Sequence, residues 1–406
     1  MRNHKQKILV SVNLGNFGST GGIMRGISKL AGSNGYCAYQ AFPRGKDEKD
    51  IIERDIIISN DISKHINQRL GWITGFNGCF AYFATQKLIK KLRAIAPDII
   101  HLHNLHNCYI HLPSLFRFIK KQNIPAVWTL HDCWAFTGQC PYFTDVGCEK
   151  WKAGCGGCPQ YKNYPESIYD NTKTMFLMKK KWFTGVPSMT IVTPSEWLAS
   201  LARESYLKEY PIKTINNGID LSVFKPTDSD FREKHQCEGK FLLLGVAFGW
   251  GRRKGLDVFL ELAKRLDERY QIVLVGTDDE VDKLLPSNII SIHRTKNAEE
   301  LAALYSAADL FVIPTREDNF PTVNMESLAC GTPVLTFNTG GSPEMIDEKT
   351  GSVVPCDDVD ALYNEILDIS ASGRFSSEDC VERAKLYDRN TKFSEYVELF
   401  DTITKG

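Results

Sequence analysis

No run of about 18 uncharged apolar residues occurs in the 406-residue chain, so the sequence offers no membrane-crossing helix. Neither sign of charge is in excess: 49 Lys and Arg balance 49 Asp and Glu, leaving no basic field to gather nucleic acid. Internal repeats and low-complexity tracts are missing, which sets aside solenoids and compositionally disordered scaffolds. The opening MRNHKQKILVSVNL is basic but lacks a long apolar core and a small-residue cleavage site, so it is not read as an export signal. The expected location is the cytoplasm, and the twelve cysteines are expected to be mostly reduced thiols. Eight of them (Cys37, Cys79, Cys108, Cys133, Cys237, Cys330, Cys356 and Cys380) are scattered, and most of these read as small core residues.

What the chain does have is alternation. Short apolar runs, KILVSVN (7–13), DIIHLHN (98–104), AVWTLHD (126–132) and MTIVTPS (189–195), are separated by helical patterns such as ATQKLIKKLRAIA (84–96). The second half repeats the scheme with KFLLLGVA (240–247), YQIVLVG (270–276), IISIHR (289–294), LFVIPT (310–315) and PVLTF (333–337). Strand–helix alternation implies parallel sheets covered on both faces, and its occurrence twice predicts an α/β fold of two doubly wound, Rossmann-like domains. The boundaries expected are 1–213, a polar hinge at 214–230, 231–385, and a C-terminal helix at 386–406 that packs back on the first domain. Such sheets bind ligands at the carboxyl ends of their strands, so two facing domains are expected to share a ligand cleft.

Several motifs fall at those strand ends. In PTREDNFPTVNMESLACGTPV, the acids Glu317 and Asp318 precede Glu326 in a helical run. A carboxylate there can accept from ribose hydroxyls, and free amides at a helix start favour anions; complementing the helix dipole is an equally good reading from spacing alone. In AFGWGRRKGLDVF, Lys254 with Arg252 or Arg253 opens a helix and can neutralise a diphosphate. Gly21 and Gly22 follow the first strand and would let backbone approach a phosphate or sugar. His101, His103 and His106 lie along one strand and its end, with Asn104 beside them, while His131 ends another. His101 and His103 share a strand face, but no acidic or thiol partner accompanies them as a metal site would require. Asp358-x-Asp360 reads as a helix start rather than a metal–nucleotide motif.

The stretch from Asp318 through seven residues to Glu326 and SLACGTPV resembles the signature of retaining GT-B glycosyltransferases of family four. The resemblance covers most of the chain, and the HDCWAFTGQC…CGGCPQ segment is similar to bacterial members making surface polysaccharides. It implies a transferase moving a sugar from a nucleoside-diphosphate donor of UDP or GDP type to a saccharide or polyprenyl-linked acceptor. It further implies that Lys254 meets the diphosphate, that Glu326 holds the ribose, and that Asp318 and His131 orient the sugar, these three (His131, Asp318, Lys254) being the catalytic candidates. Gly21, Gly22, Arg252, Arg253, Glu317, Asn319, Phe320, Pro321 and Thr322 complete the donor-binding candidates, with His103 and Asn104 on the acceptor side. The sequence departs from the family where an earlier arginine is expected, around Ala247 and Phe248, and in having Asp rather than Glu as the first acid. No cofactor is expected for catalysis. A sugar-nucleotide epimerase of the same fold and a non-catalytic zinc-dependent scaffold are the rival readings.

Two features stand apart from the donor chemistry. Cys140, Cys148, Cys155 and Cys158 lie in a Gly- and Pro-rich loop (133–165) with one zinc-knuckle spacing, Cys155-x2-Cys158. A structural zinc is weighed there against reduced thiols and disulfides; four thiolates would leave no open position for catalysis. The basic segments MKKKWF (178–183) and KLIKKLR, ending at Arg93, read as solvated helix faces or as peripheral contacts with an anionic membrane.

Overall fold

A computed structural model describes residues 6–44 and 51–404. The chain divides into two compact units, one of residues 1–216 with 390–406, the other of 217–389.

In the first unit the order is β1 (Ile8–Val12), α1 (Gly18–Ser33), β2 (Cys37–Phe42), β3 (Asp55–Ile57), α2 (Asp61–Thr74), α3 (Tyr82–Ile95), β4 (Ile99–Leu102), α4 (Leu112–Gln122), β5 (Ala126–Thr129), α5 (Thr172–Phe183), β6 (Met189–Thr193), α6 (Glu196–Glu204) and β7 (Ile212–Thr214). Its seven strands run β3-β2-β1-β4-β5-β6-β7, every pair parallel. β4, β5 and β6 are buried at every position, and apart from His101 and three threonines their residues are apolar. α4 shows the complement: Leu112, Leu115, Phe116 and Ile119 face inward and Lys120 and Lys121 close its last turn.

The second unit follows with α7 (Phe231–Lys234), β8 (Phe241–Val246), α8 (Leu256–Arg265), β9 (Tyr270–Val275), α9 (Asp279–Asp282), β10 (Ile289–Ile292), α10 (Ala298–Ala307), β11 (Leu310–Ile313), α11 (Thr322–Ala329), β12 (Val334–Phe337), β13 (Gly351–Val354), α12 (Val359–Ser372) and α13 (Ser377–Ala384). Six parallel strands run β10-β9-β8-β11-β12-β13. Both sheets therefore reverse their winding once, beside β1/β4 and beside β8/β11, and ligand crevices in doubly wound sheets form at such points.

The polar stretch 214–230 is split by the fold. Thr214 ends β7, while residues from Asn217 belong to the second unit, where Ile219 N–H donates to Tyr387 O (2.9 Å) and Arg389 N–H to Ile219 O (2.9 Å). The last helix, α14 (Arg389–Thr404), buries Phe393, Tyr396, Val397 and Phe400 with Ile23, Ile27 and Tyr36 of the first unit. Asp401 accepts from Lys7 (3.0 Å) and Tyr36 (2.8 Å), fixing its far end. Among the described residues, no helix is long and apolar enough to cross a membrane.

Candidate functional site

In the second unit, β8 ends in a loop that enters a short 3-10 turn, Arg252–Lys254, before α8. Gly255 joins the two at φ +79°, and a Cβ there would stand 2.4 Å from Pro314 O, so only glycine lets this loop close on the end of β11. The closure brings Lys254 Nζ to 2.5 Å from Asp318 Oδ2, with 19% of each side chain exposed. Arg253 donates to the Glu317 carbonyl (3.1 Å), and its own carbonyl accepts from Arg316 N–H (2.9 Å). Arg252 turns the other way, toward Asp357 (3.6 Å).

Arg316, which the sequence reading passed over, organises this corner. It is 5% exposed, grips Asp257 with two bonds (2.9 and 2.7 Å), and also bonds Asp357 and the Arg252 carbonyl. A buried guanidinium with a bidentate carboxylate is a rigid fastener, here tying the β11 loop to the first turn of α8. Its only sequence signal is an arginine before the acidic pair; its partners lie far away along the chain.

The acidic motif itself separates by burial. Glu317, Asn319 and Phe320 are buried, and Phe320 packs its ring near Tyr387, so these positions can offer a ligand mainly backbone. Pro321 immediately precedes α11, and Thr322 begins it. Glu326, one turn further, accepts from Tyr305 Oη (3.2 Å), and burial raises its carboxyl to about 7. Gly340 lies against the Asp318 carbonyl at φ +56°, holding a second loop under the first. Asp358 caps α12 by accepting from Ala361 N–H (2.8 Å), the helix-start role its sequence suggested.

In the first unit the histidines form one cluster. His101 bonds Thr129 (2.8 Å), and burial drives its imidazole down to about 3. His103 Nδ1 meets His131 Nε2 at 3.0 Å with the rings stacked, and burial holds His131 down at about 4 and His103 well below the usual imidazole range. His131 is consequently a neutral hydrogen-bonding group at physiological pH. His106 lies 3.4 Å from Asp132 and shares Tyr164 (3.2 Å) with Asn107 (2.7 Å). Asn104 N–H donates to Asn13 (3.2 Å), joining the ends of β4 and β1. Gly21 and Gly22 stand inside the start of α1 rather than in the turn before it. A Cβ on Gly21 would meet Asn16 backbone at 2.6 Å, whereas Gly22 faces open space.

A separate cavity of about 640 Å³ is lined by His65, Arg69, Trp72, Asn107, Tyr164 and Glu166, among others. The four loop cysteines line a much smaller one of about 10 Å³. No disulfide links the described cysteines. Among the described residues one trio of ligand atoms lies mutually within 4.8 Å, the exposed Asp279, Asp282 and His293; no three thiol sulfurs do. MKKKWF is not a solvated end throughout: Lys179 is fully buried, its amine 3.6 Å from the Trp134 ring centre and bonded to the Trp134 carbonyl. The cause is helical phase, since Phe176, Lys179 and Phe183 share the inward face of α5.

Comparison with known proteins agrees with both halves of this arrangement. Residues 63–223 match the family model "Glycosyltransferase Family 4", and residues 239–372 match "Glycosyl transferases group 1". The colanic acid biosynthesis protein WcaC of Escherichia coli (strain K12), named there as a prospective glycosyl transferase, is 27% identical over 66% of this chain. The match covers 66% of that protein, so the chain spans just under two thirds of its length. Among solved structures, sucrose-phosphate synthase from Thermosynechococcus elongatus superposes with a TM-score of 0.73 at 18% identity, covering 98% of this chain and 99% of that one. HepE from Anabaena, solved with UDP, gives 0.69 at 15% identity over 98% and 100%. Each unit thus carries a segment that matches a glycosyltransferase family model, and the doubly wound pair of parallel sheets has the GT-B fold of these solved structures.

Proposed function

We propose that the protein is a retaining glycosyltransferase that moves a hexosyl or N-acetylhexosaminyl group from a nucleoside-diphosphate sugar to a saccharide or lipid-linked saccharide in polysaccharide synthesis. The observation that carries this reading is the Lys254–Asp318 pair at the reversal point of the second sheet, with Glu326 on the helix that follows Asp318. A cation there, prepositioned by a carboxylate, suits a leaving group whose negative charge grows as the anomeric carbon–oxygen bond breaks. Arg253, already on the Glu317 carbonyl, is the arginine we assign to the diphosphate; Arg252 faces Asp357 instead. Backbone amides at the start of α11 would add to the anion's binding. Glu326 would accept from the ribose hydroxyls, which favour its ionised form and oppose the upward push of burial.

In the transfer step, the acceptor hydroxyl oxygen bonds to the anomeric carbon as the bond to the diphosphate oxygen breaks. Its proton passes to that departing oxygen, so no protein base is needed and attack from the leaving-group face retains configuration. Within the second unit Asp318 would orient the sugar; His131 and Gly21–Gly22, in the first unit, keep the donor-binding roles that the family resemblance implies. His103 and Asn104 are assigned to the acceptor side. The similarity to the colanic acid protein supports a polysaccharide product.

The acceptor's supply also has a physical correlate. α2 exposes Ile62 (72%), Ile66, Leu70 and Ile73, a stripe at helical spacing, and α3 adds Phe83 (81%). Lys64, Arg69, Lys87, Lys90 and Lys91 accompany them on the same two helices. Apolar side chains flanked by cations suit an anionic bilayer surface, and we assign this face to peripheral docking where a lipid-linked acceptor resides. A thermal-shift screen of UDP- and GDP-sugars tests the function. Stabilisation by one donor and not by its free sugar is expected, and a folded protein indifferent to every nucleotide sugar would refute the reading.

A further inference from the structure

Between β5 and α5 the chain runs from Leu130 to Asn171 with only two short 3-10 turns, Trp134–Phe136 and Lys150–Lys152. A segment of that length with so little regular structure needs another source of order. Its cysteines converge although far apart along the loop: Cys140, Cys148, Cys155 and Cys158 all line one small cavity with Phe143, Trp151 and Thr172. We propose that these four cysteines bind one zinc ion as a closed tetrahedral thiolate site that fixes loop 133–165.

Three independent features fit that ligand. The Cys155–Cys158 knuckle is shaped by Gly156 and Gly157 at φ +146° and +55°, conformations that side chains rarely adopt. Backbone N–H groups already point at sulfur: Gly138 donates to Cys155 Sγ (3.1 Å) and Gln160 to Cys158 Sγ (3.4 Å), as suits thiolates. Lys179 is fully buried near Cys155 and Cys140; burial lowers its amine to about 7, and negative charge on those two sulfurs acts the other way. Four thiolates around Zn²⁺ carry two net negative charges, and a protonated lysine beside them would offset one. Lys150 adds a second cation, donating to the carbonyls of Gly156 (3.0 Å) and Gly157 (2.7 Å).

Tetrahedral zinc with Zn–S bonds of about 2.3 Å sets its sulfurs about 3.8 Å apart. Cys140 and Cys158 are near enough to interact, while no three sulfurs lie mutually within 4.8 Å, so binding draws the four together. Each ligand thiol releases its proton to solvent as its sulfur bonds the metal.

The site would shape more than itself. Gln139 bonds the carbonyls of Tyr161 (3.0 Å) and Pro165 and accepts from Ser167 (3.1 Å), while Ile168 N–H donates to Trp72 O (2.8 Å). The loop thus carries Tyr164, Pro165 and Glu166 into the wall of the 640 Å³ cavity against α2. Losing the metal would loosen that wall while leaving the Lys254 corner, in the other unit, intact.

Elemental analysis of the protein purified without added metal is expected to find one zinc per chain. A thiol-competent chelator should remove it and lower Tm by several degrees, reversed by Zn²⁺ and not by Mg²⁺. Cys148→Ser and Cys158→Ser should each lower zinc content at least fivefold. Because those variants can misfold, Co²⁺ added to the chelated wild type provides a second reading through the strong sulfur-to-cobalt absorption of a tetrahedral thiolate site. Zinc below half an equivalent that added Zn²⁺ cannot raise, or an intact mass short of hydrogens because the cysteines pair as disulfides, would overturn the proposal. None of these readouts depends on the transferase activity, so either proposal can fail alone.

Discussion

Lys254 stands paired with Asp318 at the end of the β8 loop, so an arriving diphosphate meets an amine already held in place. Lys254→Ala should lower kcat about 10²–10³-fold with the fold unchanged, the range seen when one such stabilising group is removed. Steady-state kinetics alongside circular dichroism checks this. Glu326 is held protonated by burial up to about pH 7, against an ordinary value of 4.5. Its contribution to the stability of the empty protein is therefore complete below 4.5 and lost as pH rises through 7. Ribose hydroxyls that favour the carboxylate reverse this for the complex. Affinity for a nucleotide sugar, whose phosphates do not titrate here, should rise up to about tenfold per pH unit toward 7 and then level. Glu326→Gln should flatten that profile in calorimetric titrations from pH 5.5 to 8.5. The buried histidines add an acid-side effect. With His101 at about 3 and His131 at about 4, their stability contribution is present above 6.5 and lost as pH falls toward those values. Tm should fall steeply below pH 6, and His131→Asn should shallow the fall.

At the scale of elements, legibility in the sequence followed periodicity. β4, β5, β6, β8 and β11 could be read because strands buried on both faces are largely apolar, and α14 because Phe393, Tyr396, Val397 and Phe400 keep helical spacing. The acidic signature and Lys254 were legible for a different reason: they resemble a family pattern, since their spacing alone also fits a helix-dipole role. Arg316 was not legible, because its function is made by Asp257 and Asp357, brought in from other elements. Lys179 was misread because a run of three lysines looks solvated locally, and only the phase of α5 turns one inward. The stripe on α2 was also unseen, since apolar residues at helical spacing ordinarily mark a core face. If that face docks on membrane, the protein should co-float with anionic vesicles and not with neutral ones, less so at high salt. Ile62→Ser with Ile66→Ser should abolish flotation while leaving Tm nearly unchanged, because both side chains are exposed.

For the whole molecule, each unit has its own parallel sheet and its own crevice-forming reversal, and each matches its own family model. The chain passes between them after Asn216 and before Asn390, so the first unit is completed only by the last helix. Truncating α14 should therefore destabilise the first unit, exposing the Ile23–Ile27–Tyr36 surface. The most direct measurement is the product formed from the nucleotide sugar that the protein binds, with an acceptor present, followed by nuclear magnetic resonance at the anomeric centre. Nucleoside diphosphate released together with a glycoside of the donor's own anomeric configuration, and its loss in Lys254→Ala, is the predicted result. An isomerised nucleotide sugar with no glycoside formed, or a glycoside of inverted configuration, would contradict it.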